Sequence, residues 1–75
     1  MKKNIKQPET HPHDLQAIID YLVDNGVSDF QVNMLIHTNM PVLGESRNLI
    51  DATREGRWAD AWRAAELYIS GEIYN

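Results

Sequence analysis

Tyr21-Leu22-Val23-Asp24-Asn25-Gly26-Val27-Ser28-Asp29-Phe30-Gln31-Val32 is the stretch that decides the fold of this 75-residue chain. It reads as the end of one helix, a tight turn and the start of a second. Gly26 can take the left-handed conformation that closes a helix. Ser28 is a good N-cap, and Gln31 three positions later completes a capping box. Val27 and Val32 stand where a hydrophobic staple would clamp the entering chain.

Before this hairpin, Leu15, Ile18, Ile19, Leu22 and Val23 recur at helical spacing and predict one buried stripe. Pro12 suits the first helical position, and Asp14 would then place an acid in the first turn. After the hairpin, Phe30, Met34, Leu35 and Ile36 are expected to form the apolar side of the second helix. Thr38-Asn39-Met40-Pro41 should stop it, because a proline disfavours helix at the residue before it. Met40 to Glu45 reads as a loop. Ser46 is the expected cap of a short third helix with Leu49, Ile50 and Ala52 inward, closed by Gly56. A fourth helix is predicted over Arg57 to Ser70. Trp58, Trp62, Ala65 and Ile69 make its stripe, flanked by Ala61, Ala64 and Tyr68. The i, i+4 spacing of the tryptophans on that stripe favours a core role over a stacking platform for bases.

The expected architecture is all-α: a single small domain of four short helices with a helix-turn-helix-like hairpin. Residues 1–10 read as a flexible basic tail carrying Lys2, Lys3 and Lys6, and residues 11–75 as the helical domain. A chain this short buries a small core, so completion by a partner or a second copy, including a homodimer, is among the expected states. No apolar run approaches the ~20 residues of a membrane span. The basic start is followed by Gln-Pro-Glu-Thr-His-Pro-His and not by an apolar segment, so a cytoplasmic location is expected.

The chemistry-bearing residues are sparse. Cysteine is absent. His11 and His13 straddle Pro12 in poor geometry for two ligands on one face, and His37 is remote in sequence, so a solvated helix start is expected in place of a metal site. Ser28 and Ser46 have capping roles. The glycines are isolated, which excludes a phosphate-binding loop. The reading is therefore non-enzymatic, with no cofactor and no metal.

Charge weighs against nucleic acid. Lys and Arg total 7 against 11 acids, for a formal charge of −4. From Gln7 to Ser46 there is no Lys or Arg, while Glu9, Asp14, Asp20, Asp24, Asp29 and Glu45 supply six acids. A helix-turn-helix regulator would read bases with Gln31, Asn33, His37 and Thr38 on its second helix. Phosphate neutralisation supplies much of the affinity of such proteins, and here the cations lie outside the hairpin. DNA binding is the alternative reading. The leading one is a small regulator or inhibitor that occludes a protein target. Its expected contact residues are Met40, Val42, Arg47, Arg54, Arg57, Ile73 and Tyr74, with the arginines pairing against acids at the rim.

The segment Met34-Leu35-Ile36-His37-Thr38-Asn39-Met40-Pro41-Val42-Leu43-Gly44, followed by Leu49, Gly56 and Ile69-Ser70-Gly71, resembles the toxin-binding domain of Xre/MbcA/ParS-type antitoxins. The resemblance covers about residues 30–73. It departs from that pattern in the order Asn39-Met40-Pro41 and at Glu45, where a glycine is usual. The resemblance implies an all-helical protein that binds and neutralises a toxin, often after dimerising. It places the contact surface on the loop from Thr38 to Ser46 and on the last helix with its tail.

Overall fold

A computed structural model describes residues 11–44 and 46–71. Residues 1–10, Glu45, Ile73 and Tyr74 lie outside the described residues, and with them the basic tail and two of the expected contact residues. Among the described residues there are four α-helices: α1 (Leu15–Asp24), α2 (Asp29–Leu35), α3 (Leu49–Arg54) and α4 (Trp58–Ser70). A 3₁₀ turn, Pro41–Leu43, lies between α2 and α3. Among the described residues there is no strand, and the all-α reading stands.

The hairpin forms as its residues dictate. The Val27 N–H donates to the Leu22 carbonyl and the Gly26 N–H to the Val23 carbonyl, both at 3.0 Å. This pair of bonds is a Schellman closure, and Gly26 accepts its φ of 98° because it has no Cβ. The Gln31 N–H donates to Ser28 Oγ at 3.1 Å, and the Ser28 N–H reaches back to Gln31 Oε1 at 3.4 Å. Val27 and Val32 are both buried, as the staple requires. The same device recurs at α3. Asn48 and Asp51 form a capping box at its start, and Gly56 and Arg57 donate to Thr53 and Ala52 at its end.

Three expectations are corrected at the helix starts. Pro12 precedes α1 and is not in it. Asp14 is the N-cap itself, extended at φ −154°, ψ 121°, and its carboxylate accepts the Gln16 N–H at 3.1 Å. The cap of α3 is Asn48, two residues later than Ser46; the Asn48 amide oxygen accepts the Asp51 N–H at 2.8 Å. Ser46 instead sits in the left-handed region at φ 60°.

The core gathers on α4. Ala61, Ala64 and Ala65 are fully buried, and their small side chains let α1, α3 and the 3₁₀ turn all approach that helix. Ile18 and Leu22 from α1, Leu49 and Ala52 from α3, and Met40 and Leu43 from the turn are likewise fully buried. Each of the larger ones contributes about 1.5–3 kcal/mol through removal of its side chain from water. Met40 therefore belongs to the core, which corrects its expected place on a contact surface, while Val42 packs partly buried against the same cluster. The loop around Met40 is closed at its neck, where the Met40 N–H donates to the Arg47 carbonyl at 2.9 Å.

The outward face of α2 is the largest correction. Val32 and Leu35 are buried, whereas Phe30 is 72% and Met34 54% exposed. Each helical residue advances about 100°, so Phe30 and Met34 both lie about 200° from Val32. The valine staple had already set which side turns inward.

Candidate functional site

Among the described residues the large exposed apolar side chains are Phe30 and Met34 on α2 and, less exposed, Val23 at the end of α1. Phe30 and Met34 are one turn apart and share one side of the helix. Beside them a shallow groove of about 180 Å³ is lined by Gln31, Met34, Leu35 and Thr38 and, from α4, Tyr68. Asn33 and His37 are exposed on the same helix and just beyond its end. The hairpin to which α2 belongs bears Asp24 and Asp29 at its turn, both exposed, and no Lys or Arg. Spacing alone puts Phe30 on the apolar side of α2 and leaves Met34 open between satellite core and interface; the staple geometry is the signal that both face outward.

Of the four residues proposed to read bases, two are already engaged. Gln31 holds the Ser28 capping box. The Thr38 hydroxyl donates to the Met34 carbonyl at 2.8 Å. Asn33 and His37 remain at the surface. With α2 only seven residues long, a helix inserted in a major groove would present about two turns and no phosphate-binding cation of its own.

The expected arginine rim is internally compensated. Arg47 Nε lies 2.9 Å from one oxygen of Glu55, and Arg57 Nη1 lies 3.5 Å from the other. Arg57 Nε meets Asp60 at 3.0 Å, and Arg54 meets Asp51 at 3.9 Å. The hydrogen bond that Arg57 donates to Asp60, with a smaller contribution from the one it donates to Glu55, holds its guanidinium above the ordinary range. Three arginines thus face three carboxylates. The cluster offers little net positive charge to an acidic partner or to a phosphate backbone.

An open pocket of about 370 Å³ lies at the loop, lined by Asn39, Met40, Pro41, Gly44 and Ser46. It falls within the segment that carries the antitoxin resemblance. None of these lining residues is charged, and Arg47, Arg54 and Arg57 are engaged in their own ion-pair cluster.

The histidines at the start of the domain are not simply solvated. The His11 ring stacks on Trp62 with centroids 4.7 Å apart, and the His13 ring stacks on Trp58 at 5.3 Å. Residues two apart on an extended chain are separated by about 6–7 Å, and residues four apart climb a helix by about 6 Å. The His-Pro-His strap therefore matches the spacing of the two tryptophans. Trp62 is also set edge-on to Tyr21 at 5.6 Å, and His11 Nε2 lies 3.1 Å from the Glu66 carboxylate. Trp62 is buried and Trp58 partly buried, each with one face under a histidine ring. No group of three or more metal-ligating side chains occurs among the described residues.

Comparison with known protein families, curated proteins and solved structures finds no match to this chain. Among the described residues no helix is long and apolar enough to cross a membrane.

Proposed function

We propose that this protein is a small non-enzymatic binding module that acts by covering a surface of a protein target. The observation that carries the reading is the exposure of Phe30 and Met34 on one side of α2. A domain with a small core gains from burying every large apolar side chain available. Leaving an aromatic ring and a methionine outside, one turn apart, marks a face that a partner covers. The contact moves accordingly from Met40 and the arginine rim to α2. The regulator and antitoxin-like roles implied by the resemblance are of this class, and occlusion of the target by a helical face is the mechanism in each.

The test is photo-crosslinking in the native host. A benzophenone side chain replaces Phe30 or Met34, with Ala59, an exposed position on α4, as the control. One protein captured in stoichiometric amounts from positions 30 and 34, and not from 59, supports the reading. No capture from either position removes it. Tight binding of duplex DNA with a steep loss on adding salt would replace it with the helix-turn-helix alternative.

A further inference from the structure

We infer that the groove between α2 and α4 receives a cationic amphipathic helix of a partner protein. The inference rests on the protein-binding reading and assigns the chemistry of the partner. Three observations lead to it.

The first is shape. Met34 and Leu35 on α2 and Tyr68 on α4 line an open depression between two helices, together with the polar Gln31 and Thr38. A helix laid in such a groove inserts apolar anchors at i, i+3 and i+4. Phe30 extends the apolar wall by one turn.

The second is charge. The hairpin that forms one side of the groove has no Lys or Arg anywhere from Gln7 to Ser46. Asp24 and Asp29 are exposed at its turn, and Asp20 is exposed one turn earlier on α1. Arg47, Arg54 and Arg57 meet Glu55, Asp51 and Asp60, and the arginine nearest Tyr68 along the chain, the exposed Arg63, stands on the α4 wall, so the cation-free wall is the hairpin's. An occupant flanked by lysine or arginine is attracted to this side, and an acidic occupant is repelled.

The third excludes the simplest competitor. A second copy docked by the same face would form a two-fold contact between two identical hairpins, each free of Lys and Arg from Gln7 to Ser46. With a formal charge of −4 on each chain, that arrangement sets acid-rich surfaces together and like charges repel. A cationic helix satisfies the apolar strip and the acids together.

The probe is an 18-residue peptide of leucine and lysine with leucine on one helical face. Its counterparts are the same design with glutamate for lysine, and a glycine–lysine peptide of equal charge. Each is titrated into the full chain by calorimetry and by amide chemical shifts, at low and at high salt. The expected result is one saturable site for the leucine–lysine peptide, with shifts centred on α2 and Tyr68. Phe30→Ser and Met34→Ser should each weaken it by about tenfold, with circular dichroism unchanged. Asp24→Asn with Asp29→Asn should weaken it mainly at low salt.

Equal binding of the leucine–glutamate peptide overturns the inference. So does equal binding of the glycine–lysine peptide, or indifference to Phe30→Ser and Met34→Ser, because charge alone would then account for the attraction. Self-association that Phe30→Ser abolishes overturns it in favour of a second copy. If crosslinking at position 30 captures a protein whose contact segment is acidic, this inference fails and the binding module survives. If nothing is captured, both fall.

Discussion

The indole N–H of Trp62 donates to the carbonyl oxygen of Pro12 at 2.9 Å, joining positions fifty residues apart. The bond ties the segment before α1 to the face of α4. It satisfies the one polar atom of a side chain that is only 2% exposed. With His11 and His13 stacked on Trp62 and Trp58, it makes residues 11–13 part of the tertiary structure.

Trp62→Phe should therefore lose a hydrogen bond and leave a gap under the strap. A cost of about 2–3 kcal/mol is expected from the two effects together. Removal of residues 1–13 should reproduce part of that loss, since it takes away the acceptor and both imidazoles. Urea unfolding followed by tryptophan fluorescence measures both, and a truncated chain as stable as the full one would refute the role of the strap.

The assignment of faces on α2 has a direct consequence for stability. Phe30→Ser and Met34→Ser should change the unfolding free energy by no more than about 0.5 kcal/mol, because both side chains are already in water. Leu35→Ala, on the buried side, should cost about 2–5 kcal/mol. A large loss at Phe30 would mean that its ring is packed, and the proposed contact face would lose its main anchor.

Gly44 adopts φ 106°, ψ 174°, a region open essentially to glycine alone. Nothing lies within 4 Å of a Cβ built there, so the penalty for Gly44→Ala is backbone strain, of order 1–3 kcal/mol. Gly26→Ala should cost about 1–2 kcal/mol, the penalty of the left-handed conformation. The two sites share no hydrogen bond, and the double variant should show the sum within ~0.5 kcal/mol in denaturant unfolding.

Ser28→Ala and Asn48→Ala each remove the side-chain half of a capping box. Each should cost about 1 kcal/mol. Exchange of Ser28 for Asp keeps an acceptor at the cap and should recover most of the loss, which amide hydrogen exchange of the first turn of α2 reports directly.

Stability should fall on the alkaline side through Tyr21. Burial, and secondarily the Glu66 carboxylate, push its phenol above the ordinary value of 10.0. The folded state thus holds the proton more tightly than the unfolded chain does. The sign follows from linkage: the contribution is fully present below about pH 10 and is lost as pH rises through the raised folded value. Thermal unfolding between pH 8 and 11 should show this decline, and Tyr21→Phe should flatten it. A decline identical in the variant would assign the effect to other groups.

Much of this fold is written in short-range chemistry. Gly26, Ser28 with Gln31, and Val27 with Val32 specify the hairpin because every partner lies within six positions along the chain. The stripe on α4 is equally legible, since Trp62, Ala65 and their neighbours repeat at the helical period. Where two local readings competed, local reasoning could choose wrongly. Ser46 and Asn48 are both good caps, and the loop closure between Met40 and Arg47 decides for Asn48. Phe30 and Val32 are both apolar, and only one can face the core. Beyond that, tertiary structure alone determined what covers what. It sank Met40 beneath the loop, set Glu55 between Arg47 and Arg57, and laid His11 and His13 on the tryptophans. The physical reason is distance in sequence: hydrogen-bond periods and caps act over a few residues, whereas burial and ion pairing depend on which surfaces the packed helices bring together.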